Sequence, residues 1–250
     1  MVRLARAVAR ALDDALTPAG VRLLGATLLL VSTGQLLVNT LLHGTTIQLP
    51  WTEVVLAYPA TLPLGDSAAA WLFAGLWVVA SYLLVVFLRT LVRDGDDGIH
   101  PDDVLHEALP ATLRVAVAGA AGGALVLAGL AFGIGPGVLL AAHLLFVPVF
   151  VAVEDAGLIS AVVDSWQLAA AHRVRVLAFT AVVTVLLGAV GVAGALSASL
   201  DPWLEFLLGV AATVVVLSVA VPAVVDVYRQ HGENAGPPSG TGQRRGAGAL

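Results

Sequence analysis

The sequence has no cysteine, and only 12% of its residues are charged. Without cysteine there is no disulfide framework, no thiolate metal site and no cysteine nucleophile. With so little charge, polar side chains cannot cover a water-soluble fold of this length. A hydrophobic share of 59% and a mean hydropathy of +0.95 make the chain an integral membrane protein by composition. Lysine is absent too, so all 12 basic residues are arginine. The net charge of -5 sits mostly in loops, and neither nucleic-acid binding nor a polybasic lipid anchor is expected.

Enzyme signatures are also missing. There is no G-x-S-x-G elbow and no Walker loop, and His106-Glu107 lacks the second histidine of a zinc-protease helix. Asp94, Asp96, Asp97, Asp102 and Asp103 crowd one stretch, but their spacing fails the calcium-loop pattern and reads as a solvated acidic loop. No catalytic residue, cofactor or metal is expected.

What the chain does have is long apolar runs. Residues 1–20 carry Arg3, Arg6 and Arg10 on one helical stripe and read as an amphipathic helix lying on the cytoplasmic face. A cleavable signal peptide is the competing reading, but the following run is too long and no small-x-small site closes it. Spans are expected at Val21–Leu42, Ser67–Leu88, Leu113–Phe132, Val138–Val153, Val174–Leu196 and Pro202–Val227. At about 1.5 Å per residue all but the fourth cover a core of about 30 Å. Residues 230–250, rich in Gly, Pro, Ser and Arg, read as a disordered cytoplasmic tail. The expected fold is therefore all-α: a polytopic transmembrane helix bundle of about six spans over 21–229, with short cytoplasmic interfacial helices.

The arginines orient it. With the N-terminus inside, every arginine falls in a cytoplasmic segment, and 43–66, 133–137 and 197–201 contain none. A multi-pass protein of the cell membrane with both termini cytoplasmic follows. The stretch His43–Asp66 places Trp51, Val54, Val55 and Tyr58 at helical spacing and reads as an exterior loop with an interface-lying helical turn. Gly133–Gly137, GIGPG, is a tight turn joining spans three and four. Gly119 with Gly123, and Gly129 with Gly133, form small-residue notches for close helix approach. A weak threefold repeat of amphipathic lead-in and hairpin starts at Arg10, Asp102 and Ser160; chance acid–arginine pairs at helix ends are the alternative.

Polar residues inside apolar runs are the candidate functional groups. Ser32, Gln35 and Asn39 share one face of the first span, and read as interhelical hydrogen-bonding groups or, alternatively, as the lining of a polar solute path. His143 in the fourth span reads as a neutral, hydrogen-bonded histidine, with Glu205 as a candidate partner if both lie near the exterior end. Glu154 and Asp155 are candidate cation ligands or an acid–base pair; the plainer reading has Asp155 capping the helix that follows. In that helix Leu158, Ile159, Val162, Val163 and Trp166 form an interfacial apolar stripe, with Asp164 and Gln167 facing water.

The run from the Gly133–Gly137 turn through Phe146-Val147-Pro148, Glu154-Asp155, Ser165-Trp166 and His172-Arg173 resembles a family of uncharacterised six-helix membrane proteins common in haloarchaea. It is similar, more distantly, to the membrane domain attached to glycerophosphoryl diester phosphodiesterases. The lysine-free, Ala-, Val- and Gly-rich composition fits such a source. The resemblance covers the middle third of the chain and implies a membrane elbow built on Pro148, Glu154, Asp155, Ser165, Trp166 and Arg173. The soluble phosphodiesterase domain is missing, so hydrolase activity is not implied. A structural, assembly or membrane-organising role is expected, with a small-solute carrier as the alternative and an intramembrane enzyme last. The expected partners are the lipid bilayer and a second copy or another membrane protein.

Overall fold

The computed structural model of the chain describes residues 18–49, 52–55, 58, 60–92, 108–198 and 201–235. Eight helices lie among them: α1 (Pro18–Leu42), α2 (Asp66–Val92), α3 (Ala108–Phe132), α4 (Ile134–Leu144), α5 (Val147–Val153), α6 (Leu158–Ala171), α7 (Arg173–Ala198) and α8 (Pro202–Ala235). α1, α2, α3, the α4–α5 unit and α8 are each long and apolar enough to cross a membrane. The pair α6–α7, bent by 101°, passes the same test as a unit, for up to six spans. The protein is thus an all-α membrane bundle.

Several boundaries differ from the sequence expectation. Where a helical turn was expected after α1, the described residues pair as an antiparallel hairpin of β1 (Thr46–Leu49) and β2 (Thr52–Val55), with Thr46 opposite Val55. Thr46, Ile47, Thr52, Val54 and Val55 are β-branched and favour the extended backbone, which outweighs a few helically spaced apolar residues. α3 starts at Ala108, since Pro110 fits a first turn whose N–H groups lack helical partners anyway. α8 continues to Ala235, so residues 230–235 are helical where a disordered tail was expected. The lead-ins of the proposed repeat differ as well: Arg22 and Arg114 are continuous with α1 and α3, whereas α6 is a separate helix. The N-terminal interfacial helix over 1–17, Trp51, the acidic stretch 93–107 and the tail 236–250 lie outside the described residues.

The long helices close a ring in which α1 touches α2, α2 touches α3, α3 touches α4, α4 touches α7, α7 touches α8, and α8 returns to α1. The short α5 lies against α2, α3 and α6 and plugs this ring at one end. Val147, Val149, Phe150, Val151 and Ala152, most of its residues, are buried. They meet Val85 and Leu88 of α2, Ala111 and Val115 of α3, and Val224 and Val225 of α8. In the α4–α5 span 44% of the residues are buried, against 17–18% in each of the other single spans, so this segment is interior and the others face lipid over most of their surface.

The α3–α4 hairpin is held close by glycine. A Cβ added at Gly129 would stand 3.0 Å from the Cα of Gly137, and one added at Gly137 would stand 2.9 Å from the backbone N of Leu130. Gly119 receives the Trp77 indole, whose Nε1 donates to the Ala116 carbonyl at 3.0 Å. Gly123 has nothing within 4 Å of a Cβ, so the expected Gly119–Gly123 notch accepts a side chain at one position only. Gly133 does not form a notch; its φ of +140° turns the chain between α3 and α4.

Gly137→Ala should therefore destabilise the protein by about 1–3 kcal/mol, because behind the Leu130 side chain, which could shift, stands the Leu130 backbone N, which cannot rotate away. Gly123→Ala meets open space and should be neutral or stabilising by up to about 1 kcal/mol through helix propensity. Thermal unfolding in detergent compares the two; equal effects would refute the close approach.

Candidate functional site

The elbow begins where α4 stops. Pro148, near the start of α5, has no N–H to continue the helix, and the chain breaks at Leu145 and Phe146. A break at this depth frees backbone groups that water cannot reach. Ser165 of α6 takes up two of them: its hydroxyl donates to the His143 carbonyl at 2.6 Å and accepts the Phe146 N–H at 3.2 Å. Ser165 is 0% exposed. It can come this close because the buried face of α6 is made of Ala161, Ser165 and Ala169, with Leu168 beside them. Of the apolar stripe, Ile159, Val162 and Val163 are exposed, Trp166 is about half-exposed, and Leu158 leans on the core.

His143 stands at the same break. Its ring lies 4.1 Å from that of Trp166, and its Nδ1 is 2.8 Å from the Leu139 carbonyl. Because a carbonyl only accepts, that contact places the proton on Nδ1. The expected partnership with Glu205 does not form. Glu205 is in the first turn of α8, about 34 Å along that helix from Tyr228, whereas His143 is about 16 Å along the chain from Glu154, which Tyr228 touches. The helix starts at Ile134 and not at Val138, which sets His143 one turn further from the helix start than the sequence placed it.

The turn after α5 gathers two arginines and a tyrosine from three other helices. Asp155 has a φ of +52°, a left-handed conformation that Asp and Asn tolerate better than other side chains. It does not cap α6: the N-cap there is Gly157, with no side-chain cap bond. It ends α5 instead. Arg89 of α2 donates from Nε to the Ala152 carbonyl at 2.6 Å and from Nη2 to the Asp155 carboxylate at 2.8 Å. Arg114 of α3 donates to the Asp155 carbonyl at 3.1 Å. Two guanidinium groups thus satisfy carbonyls at the negative end of α5, where a cation is favoured. From α8, the Tyr228 hydroxyl donates to the Glu154 carboxylate at 2.7 Å, and its ring meets Phe150 edge to face at 5.5 Å.

The same end of the bundle holds further arginines. Arg173 donates to the Ala170 carbonyl at 3.2 Å and closes α6, Arg175 donates to Gln230 at 2.6 Å, and Arg229 donates to the Val92 carbonyl at 3.1 Å. Arg89, Arg114, Arg173, Arg175 and Arg229 therefore all work at one end, as a positive-inside arrangement requires.

The polar face of α1 works at the opposite end. Gln35 donates to Asn39 at 3.0 Å, and Asn39, buried, donates to the Ala60 carbonyl at 3.2 Å. Thr40 accepts the Leu62 N–H at 2.9 Å. These groups hold the chain after the hairpin and do not bridge helices. Ser32, a turn earlier, is half-buried.

Sequence reasoning marked Arg89 and Arg114 only as topology signals, and missed Tyr228 and Trp77. An arginine closing an apolar run was the available signal; which carbonyl it reaches depends on the fold. Among the described residues no group of three or more His, Cys, Asp or Glu side chains is placed to hold a metal ion. Glu154 and Asp155 face an arginine and a tyrosine, an arrangement that fixes a turn. Comparison with protein families, with curated proteins and with solved structures finds no match.

Ser165→Ala strands a donor and an acceptor and should cost about 2–6 kcal/mol, at about 1–3 for each buried group. At Asp155, Asn and Gly should be tolerated, Ala should lose about 1–2 kcal/mol, and Val should lose most. The half-exposed ion pair alone is worth under about 1 kcal/mol. Melting temperatures of the five variants check both claims; Asp155→Val as stable as Asp155→Asn would contradict the left-handed turn.

Proposed function

We propose that this protein is a structural, assembly or membrane-organising component of the cell membrane, multi-pass, with the arginine end and both termini in the cytoplasm. What supports the reading is how the polar groups at membrane depth are used. Ser165 supplies the break in α4–α5, Asn39 and Thr40 hold the chain at Ala60 and Leu62, and Trp77 bonds the Ala116 carbonyl. They serve the chain's own backbone. Among the described residues the Thr180 hydroxyl alone is buried without a partner, and one hydroxyl does not make a solute path. The charges at the arginine end brace a turn, an arrangement that favours scaffolding over catalysis. Kinship with the haloarchaeal six-helix proteins, distantly with the phosphodiesterase-linked membrane domain, belongs to the same reading and rests on the Phe146–Arg173 motif.

The cysteine-free chain permits a direct test. Single cysteines at Gly65 and Ala171, both exposed, are treated with a membrane-impermeant maleimide in intact cells. Label at Gly65 and none at Ala171 is expected, and the reverse would invert the topology. A third variant, Gln35→Cys, separates a scaffold from a carrier: a scaffold leaves it unlabelled, whereas labelling from the aqueous side would favour the carrier.

A further inference from the structure

One face of α6 is buried against the bundle through Ala161, Ser165, Leu168 and Ala169. Along its other side Ile159 is 84% exposed, Val162 and Val163 are exposed, and Trp166 is about half-exposed. Both ends of α6 are tied to the arginine end of the bundle. It begins just after the Asp155 turn, and Arg175, just past its close, bonds Gln230, two residues from the Tyr228 that holds Glu154. α7 then packs along α4 and α8, which lie in membrane spans, and α6 meets α7 at 101°. α6 therefore runs close to the membrane plane, and an apolar stripe held there lies where headgroups meet acyl chains, a level that favours tryptophan.

We infer that the end of α6 is a docking surface for an anionic phospholipid, with the headgroup phosphate on the Arg173 guanidinium and the acyl chains against Trp166 and Val163. Charge decides the class of lipid. The Arg173 Nε donates to the carbonyl of Ala170, one turn past Trp166 on the same side of α6, which sets the guanidinium at the end of the stripe. Arg173 is exposed, and among the described residues no carboxylate pairs with it and nothing else bonds it, so both Nη groups are left to donate. Its neighbours are engaged: Arg89 pairs with Asp155, and Arg175 bonds Gln230, which also bonds Asp226. Asp164, the acid of α6 itself, stands nine residues before Arg173, about 13 Å along the axis. A planar guanidinium with both Nη groups open takes a phosphate through paired hydrogen bonds. A zwitterionic lipid brings its own cation to the same place and fits less well. The inference goes beyond the scaffold role and requires only that the arginine end face a membrane surface, so an inverted topology would leave it standing.

In the cysteine-free chain Val163→Cys carries a single dansyl group. The protein is reconstituted in phosphatidylcholine vesicles containing a small fraction of phosphatidylglycerol or, in parallel, of phosphatidylcholine, each nitroxide-labelled on an acyl chain. Quenching by the anionic lipid should exceed that by the zwitterionic one by about twofold or more, since one arginine near an anionic surface shifts binding about fivefold. Arg173→Gln should remove the preference, and Arg173→Lys, which keeps the charge, should retain most of it. Native mass spectrometry of the unlabelled chain, which leaves the stripe intact, should show a retained phosphatidylglycerol that Arg173→Gln loses. Equal quenching by the two lipids, a preference that survives Arg173→Gln, or one lost equally in Arg173→Lys would overturn the site. So would the absence of quenching by either lipid, which would put a protein surface on the stripe, or efficient disulfide linkage of two Val163→Cys chains, which would put a second copy there.

Discussion

Inside a bilayer a backbone N–H or C=O that leaves its helix finds no water, and the middle of this chain is built around that constraint. The break between α4 and α5 gives the bundle its plug, because it lets a short apolar helix fill the ring instead of continuing a wall. The same break frees a carbonyl at His143 and an N–H at Phe146. One serine from α6 meets both. The position of α6, the 101° bend into α7 and the stack of Trp166 on His143 follow from bringing that hydroxyl to that break.

The far end of α5 poses the matching problem in carbonyls. A helix C-terminus presents unpaired acceptors and a partial negative charge, and the chain answers with guanidinium groups from α2 and α3. Asp155 serves the turn twice: its backbone adopts the left-handed conformation that stops the helix, and its carboxylate holds Arg89. Glu154 ties α8 through Tyr228. α2, α3, α5 and α8 are thereby fixed to one turn, and close side-chain burial accumulates there. Away from this turn the long helices are buried over a small share of their surface, and exposed Leu and Val are common along them.

Among the described residues, polar side chains in the spans bond mainly to the chain's own backbone. Charge serves to stop and brace helices, and hydroxyl and amide groups serve to complete backbone hydrogen bonding.

Much of this was legible in the residues. Apolar run length gave the spans, because the bilayer demands a minimum helix length whatever the neighbours are. Arginine placement sorted the helix ends, and Pro148, Ser165 and Trp166 stood out within one motif. The hairpin at Thr46–Val55 was missed because helical spacing was weighed above β-branching, and Asp155 was assigned to the wrong helix because a cap before α6 and a stop after α5 occupy the same few residues. By itself the sequence determined that this is a helical protein with several spans apolar enough to cross a membrane, since hydropathy acts through the bilayer without reference to tertiary contacts. Only the tertiary structure decided which carbonyls Arg89 and Arg114 reach, that Ser165 closes the break, that His143 and Glu205 stay apart, and that Trp77 seats on Gly119. Each of these depends on the distance between residues remote in the chain, and no local pattern encodes that distance.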